Sequence, residues 1–456
     1  MTKLKGSGGK INKQYGIEVL LQNKNITLFS VLIVLLKIVF AFYLLHINPN
    51  IFFVPDSASY IQPARELLSY GTFTYYGIPE VFRTPGYPIF LIPFVYLFND
   101  NIAIPVVITQ IFIVLVIALI TKEIAFEISK NDIISKIIFY LILIEPNINI
   151  YQYFVLSEIV FALFLIVSIY FLILSYKRGT LSHLFFGFLI LSLSAFVRPI
   201  SIYLVYVIGF IFVTYFIRNK RGFIVVLSSI LLHFVLINAW SLRNEIKTGA
   251  YVFSSVSSDN LYEYISASIL AKAEGKNWES VRDEFRRDIK NMSLSERILY
   301  QKRKYIEIIS GYPKEAMIIG AKGFFTNIFD PGTGELANMF NLRKSNSGIM
   351  YKFVSMPISE FTVYVLKHEK ALITTMIIGI LWLIIFYMSV LYGIFKIERD
   401  YVLILLLVVI FYLLITSSGP QSYARFRVPV IPHMSIFAGY GIYNVLTKLV
   451  HVRTDN

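Results

Sequence analysis

The chain has 456 residues, of which 56% are hydrophobic, 16% aromatic and only 15% charged. Soluble domains carry about 25% charged and 45–50% apolar residues, and about 20 apolar residues cross a bilayer. The mean hydropathy of +0.66 and near-continuous Ile/Leu/Phe/Tyr runs therefore exclude a soluble enzyme, a disordered chain and a collagen-like protein. The net charge of +14 lies in short clusters between apolar runs, not on one basic face with interleaved aromatics, so nucleic acid is not the expected partner. Membrane lipids are. Without cysteine, disulfides, thiolate metal sites and cysteine nucleophiles are absent.

Residues 1–25, with Lys3, Lys5, Lys10, Lys13 and Lys24, read as a basic tail. Its Gly6-Ser7-Gly8-Gly9-Lys10 is too short for a phosphate loop and follows no strand. Residues 26–45 form the first span, read as a retained anchor because no small-residue cleavage site follows. Further spans are expected at 101–120, 133–150, 156–176, 181–197, 200–217, 223–240, 371–392, 401–416 and 428–446. The organisation is thus a tail (1–25), seven spans with a first outer loop at 48–100 (26–241), a large outer loop (242–370), three spans (371–447) and a second tail (448–456). Within the outer loops, 88–98 and 313–329 read as apolar helices lying in the interface, and 272–304 as a charged, solvated helical stretch. Lys122/Lys130/Lys136, Lys177/Arg178, Arg218/Lys220/Arg221, Lys396/Arg399 and Lys448/Arg453 all fall on the side of the basic N-terminus. That pattern predicts a multi-pass plasma-membrane protein with both termini in the cytoplasm.

A charge at the centre of a span costs roughly 2.5–3.5 kcal/mol, so charges at helix ends carry the functional information. The outer ends hold Asp56, Arg83, Glu145, Glu158, Arg198, Arg243, Arg425 and Arg427. The positive-inside rule disfavours arginine there, and a guanidinium fork matches phosphate oxygens, so an anionic phosphate is the expected ligand. Asp56, in Pro55-Asp56-Ser57-Ala58-Ser59-Tyr60, reads either as an N-cap of a helix that Gly71 ends, or as a carboxylate that takes a proton from an acceptor hydroxyl or holds a cation. Arg83 reads as a phosphate ligand or as an interfacial side chain reaching for headgroups, and Glu158 as a second acid or as a helix-terminal charge. Glu145 reads as a helix end. Lys37 lies mid-span with no evident partner. The six histidines are scattered, so a protein-built zinc site is not expected; His433 alone is placed to join an outer site.

"PDSASYIQPARELLSYGTF" and "FRTPGYPIFL" in the first loop, "LSEIVFALF", "AFVRP", "NAWSLRNEIKTGAYVFSS" and "YARFRVPVIPHMSIFAGYGI" together resemble the membrane glycosyltransferases of the GT-C class. The resembling branch contains the bacterial relatives of dolichyl-phosphate-mannose protein mannosyltransferases and the lipid A aminoarabinose transferase. The resemblance runs in order over most of residues 26–446. It implies an all-α membrane bundle of about ten transmembrane helices with interfacial helices around an outward-facing cavity, and inverting transfer of a sugar from a polyprenyl-phosphate carrier to a glycan, lipid or protein acceptor in the cell envelope. Asp56 and Glu158 would be its acidic residues, with a divalent cation (Mg or Mn) at those two as a further expectation. Arg83, Tyr60, Arg198, Arg243, Arg425 and Arg427 would bind the lipid phosphate or sugar. The chain departs from the mannosyltransferases in having Pro55-Asp56 where they have Asp-Glu, and in lacking their long lumenal repeat domain. Two alternatives stand beside this reading: a polysaccharide polymerase or ligase, and a transporter or flippase of lipid-linked sugars, which would show inverted repeats or broken mid-membrane helices.

Overall fold

The computed structural model describes residues 23–340, 357–368 and 370–454. Residues 1–22 of the predicted basic tail, with their glycine-rich segment, lie outside the described residues, as do 341–356 and 369 of the large loop and 455–456 of the second tail.

The chain folds as an all-α bundle: α1 (Asn23–Ile47), α2 (Ala58–Tyr70), α3 (Gly86–Phe98), α4 (Ala103–Ser129), α5 (Asp132–Ile144), α6 (Pro146–Tyr151), α7 (Glu158–Arg178), α8 (Leu181–Val197), α9 (Leu204–Phe216), α10 (Lys220–Thr248), α11 (Val256–Asp259), α12 (Ala267–Glu274), α13 (Trp278–Asp288), α14 (Leu294–Gly311), α15 (Pro313–Phe329), α16 (Thr333–Met339), α17 (Ile358–His368), α18 (Lys370–Ile394), α19 (Tyr401–Thr416) and α20 (Ile431–Thr454). A seven-residue π-helix, Asn260–Ser266, joins α11 to α12, and short 3₁₀ turns, Pro199–Ser201 and Ala424–Val430, precede α9 and α20. Among the described residues the sheet is one hairpin, Thr74–Tyr75 against Ile78–Pro79. Its turn residues Tyr76 and Gly77 both have positive φ (51° and 78°), the geometry of a two-residue hairpin.

Among the described residues six helices are long and apolar enough to cross a membrane: α1, α4, α7, Pro199–Phe216, α10 and most of α18. α8 and α19 are apolar but have 17 and 16 residues, about 24–26 Å of helix against a hydrocarbon core of about 30 Å. The core runs through α4, α7, α8, α19 and α20, where residues such as Ile111, Ile169, Phe188, Leu406 and Phe437 are fully buried. The strongest packings are α18 on α20, α7 on α8, and α4 on both α5 and α7.

Two predicted elements differ. The span expected over 133–150 is broken between α5 and α6. Pro146 has no N–H and bars the preceding residue from helical geometry, so Glu145 is extended (φ −62°, ψ 122°) and its carboxylate caps α6 by accepting from the Ile148 N–H. The reading of Glu145 as a helix end holds. The charged stretch 272–304 is not one helix but the end of α12, all of α13 and the start of α14. Gly275 ends α12 at φ 66°, Asn277 caps α13, and a Ser293–Glu296 capping box starts α14. These helices share a small separate core around Tyr262, Phe285 and Ile308.

One glycine sets a close approach that matters for the site. A Cβ on Gly86, the first residue of α3, would lie 2.6 Å from the backbone oxygen of Phe196 near the end of α8. The missing side chain lets the segment after Arg83 press against the segment before Arg198. Gly86→Val is expected to cost about 1–3 kcal/mol by overpacking, read as a lower melting temperature of the detergent-solubilised protein; unchanged melting would contradict this packing.

Candidate active site

Each side chain of the site is delivered by a local signal. Asp56 sits in the turn before α2, and its predicted capping role is not what the structure shows. Ser57 occupies the cap position without a capping hydrogen bond, while Gly71 ends α2 at φ 67° as expected. Asp56 is therefore free to face other segments. Arg83 follows the hairpin, where the Glu80 carboxylate accepts from the Phe82 and Arg83 N–H groups at 2.6 and 2.8 Å and fixes that backbone. Glu158 is the first residue of α7, where a negative charge complements the helix N-terminus. Arg198 ends α8 because Pro199 follows; its backbone is extended (φ −144°, ψ 121°). Arg425 lies in the 3₁₀ turn before α20, anchored where the Ala424 N–H donates to Asp330 Oδ2 at 2.9 Å.

The five side chains form one alternating chain of charge. Arg83 Nη2 donates to Asp56 Oδ1 at 2.8 Å, and Arg425 Nη1 donates to Asp56 Oδ2 at 2.6 Å. Arg425 Nε and Arg198 Nη1 both donate to Glu158 Oε1. Glu158 Oε2 is buried without a hydrogen-bond partner. Three guanidiniums face the two carboxylates of Asp56 and Glu158, and the buried Glu80 carboxylate lies near Arg83 as well. Arg83 also donates to Ser59 Oγ at 2.9 Å and Tyr60 Oη at 3.1 Å, its guanidinium lying 4.5 Å from the Tyr60 ring centre. Tyr423 Oη accepts from Arg425 at 3.2 Å. Side-chain exposure falls from 36% at Asp56 to 14% at Arg83, 9% at Arg425 and 1% at Glu158. Asp56 is thus the most accessible of the five charged side chains. Its burial would raise its pKa, but the charges and hydrogen bonds of Arg425 and Arg83 outweigh that and hold it at about 2.

The structure thus brings together Asp56, Tyr60, Arg83, Glu158, Arg198 and Arg425, and leaves two expected ligands outside. Arg243 donates to the carbonyls of Glu80 (3.0 Å) and Phe73 (2.7 Å) and to Asn244 Oδ1, between the Phe73 and Trp240 rings. It fastens the hairpin to α10. Arg427 is buried and donates to the carbonyls of Asn327, Ile328 and Asp330 at 2.7–2.8 Å, locking the end of α15 to the start of α20. Neither guanidinium is positioned as a phosphate ligand. His433 is buried in α20, next to the Pro429 backbone, and is not among the partners of the charge chain. The donor set also fails to fit the expected divalent cation. Arg425 stands between Asp56 and Glu158, both Asp56 oxygens accept from arginine, and among the described residues no three His, Cys, Asp or Glu side chains gather. Sequence reading missed Ser59, Ser157, Tyr423 and Gln110. Of these, only Gln110 gave a signal, as a lone amide in an apolar span.

Similar structures fit this architecture. A scan against protein-family models finds no match, and a search of curated proteins finds none. Among solved structures, the archaeal oligosaccharyltransferase AglB from Archaeoglobus fulgidus, in complex with an inhibitory peptide and a dolichol-phosphate, aligns with 93% of this chain and 51% of its own, at TM-score 0.50 and 12% identity. Its apo form aligns at TM-score 0.50 and 13% identity over the same shares of the two chains. The chain shares the fold of these two oligosaccharyltransferase structures. ArnT from Cupriavidus metallidurans, bound to undecaprenyl phosphate, aligns with 91% of this chain and 60% of its own at TM-score 0.41 and 10% identity. The chain spans 51–60% of the length of these matched chains.

The pairing of Asp56 has a pH signature. Its pKa is lowered on folding, so its contribution to stability is complete above the unfolded value near 3.9 and is lost as pH falls toward about 2. Between about pH 5 and 2.5, the melting temperature of the wild type is expected to fall more steeply than that of Asp56→Asn; parallel curves would contradict the ion pairing.

Proposed function

We propose that the chain is an inverting glycosyltransferase that moves a sugar from a polyprenyl-phosphate carrier to an extracytoplasmic acceptor, at a plasma membrane with both termini in the cytoplasm. The observation that carries this reading is the charge chain Arg83–Asp56–Arg425–Glu158–Arg198, in which three guanidiniums gather on two acids. The GT-C fold supports it, since the AglB structure of that fold holds a dolichol-phosphate.

In this reading the acceptor hydroxyl oxygen attacks the anomeric carbon, and the bond from that carbon to the phosphate oxygen breaks. The electron pair leaves on the phosphate, and the hydroxyl proton passes to Asp56. The guanidiniums of Arg83 and Arg425, aimed before the reaction begins, stabilise the charge that grows on the leaving phosphate. Glu158, itself paired with Arg198, holds the buried side of Arg425. The lipid phosphate and Asp56 compete for the same two guanidiniums. A carboxylate held at about 2 is a weak base at neutral pH. A phosphate that takes Arg83 Nη2 and Arg425 Nη1 withdraws what lowers the pKa of Asp56 and makes it a better proton acceptor. The acceptor is a glycan, lipid or protein of the cell envelope; membrane lipids complete the surroundings.

Purified protein given undecaprenyl-phosphate-linked sugars and envelope extract tests this. Asp56→Asn is expected to lower transfer by about 10²–10⁴ and Arg425→Ala by about 10²–10³. Undiminished transfer in Asp56→Asn would remove it from the chemistry, and lipid movement without bond cleavage would refute the enzyme reading. The acid limb of kcat/KM, which reports the free enzyme, is expected at or below about pH 3, because the depressed group stays ionised above its folded pKa of about 2. Arg83→Gln is expected to move that limb upward.

A further inference from the structure

Gln110 lies in the second turn of α4, within the apolar run Val106-Val107-Ile108-Thr109-Gln110-Ile111-Phe112, and its side chain is fully buried. A buried amide in a membrane-spanning helix is costly unless every polar atom is paired. Here every one is. Nε2 donates to the carbonyls of Gln152 at 2.9 Å and Phe154 at 2.8 Å, and Oε1 accepts from Tyr87 Oη at 3.2 Å. The two carbonyls require donors, which fixes which end of the amide faces them. Gln110 thus joins three elements: α4, the segment 152–157 that leads into Glu158, and α3, which follows Arg83.

Segment 152–157 is also tied to the Asp56 turn. The Val155 N–H donates to the Phe52 carbonyl at 2.9 Å, and Ser57 Oγ donates to the Val155 carbonyl at 3.0 Å. Tyr60 Oη and Ser157 Oγ share a hydrogen bond at 3.2 Å. The two carboxylate-bearing segments are therefore laced side by side, and Gln110 clamps the lacing from the bundle side. A slip of segment 152–157 carries Glu158 with it, and Arg425, which Glu158 holds, moves relative to Asp56.

We propose that Gln110 is a positioning residue for the transfer reaction, holding segment 152–157 so that Glu158 and Arg425 stay in register with Asp56. This rests on the reading of the Asp56–Glu158 cluster as the transfer site. Gln110 touches no reacting atom; it acts through Glu158 and Arg425. A misplacement of about 1 Å costs on the order of 10²-fold in rate, so a clamp remote from the chemistry is felt in kcat.

The test compares wild type, Gln110→Leu and Tyr87→Phe in two measurements. The first is kcat and KM for transfer from an undecaprenyl-phosphate sugar. The second is amide hydrogen exchange over residues 152–157, which needs no activity. Gln110→Leu is expected to speed exchange there by about tenfold or more, for two lost hydrogen bonds, and to lower kcat about 10–100-fold with KM within about twofold of wild type. Tyr87→Phe removes one hydroxyl at constant shape, so it serves if Gln110→Leu does not fold, and is expected to show the same pattern more weakly. Unchanged exchange in the folded variants, or faster exchange with unchanged kcat, would overturn the proposal. If wild type transfers nothing, the glycosyltransferase reading fails, and the exchange data still decide whether Gln110 clamps the segment.

Discussion

The site depends on one side chain with two carboxylates on it. Arg425 reaches Asp56 with Nη1 and Glu158 with Nε, joining residues 369 and 267 positions away in the chain. Removing one partner of a buried, hydrogen-bonded ion pair typically costs about 3–5 kcal/mol. The surrounding structure is arranged to keep that pairing. Asp330 anchors the backbone next to Arg425, Arg427 fastens the same turn to α15, and the lacing of 52–60 to 155–157 sets the spacing of the two acids.

Exposure differs sharply between the two acids: Asp56 is the accessible one, and Glu158 is closed in between Arg425 and Arg198. Opposite charges in low dielectric attract strongly, and here three guanidiniums share the carboxylates of Asp56 and Glu158. In the proposed reaction the lipid phosphate exchanges with Asp56 for these guanidiniums rather than filling an empty cradle, and the same exchange would turn a carboxylate of low basicity into one able to accept a proton.

Much of the fold was legible because its signals are local. Apolar runs bounded by charged clusters located the helices, Gly71 placed a helix end, and arginines at helix termini pointed to the site. Composition shows a charge but not what it touches. Arg243 and Arg427 carry the same sequence signal as Arg83 and Arg425, yet their donors go to backbone carbonyls of distant segments. Arg425 and Arg427 are two residues apart in one 3₁₀ turn and serve different elements, a division that tertiary contacts set. Asp56 looked like a helix cap because Asp before a helix usually is one; the pull of two guanidiniums decided otherwise. Gln110 was passed over because a single amide is a small interruption in an apolar run, and its value lies entirely in the carbonyls it meets.

The central claim is that Asp56 and the lipid phosphate share Arg83 and Arg425. Equilibrium binding of undecaprenyl phosphate to wild type and Asp56→Asn tests it most directly. The account predicts that Asp56→Asn, which loses the competing carboxylate, binds the lipid phosphate more tightly than wild type while failing to transfer sugar. Weaker or unchanged binding in Asp56→Asn would contradict it.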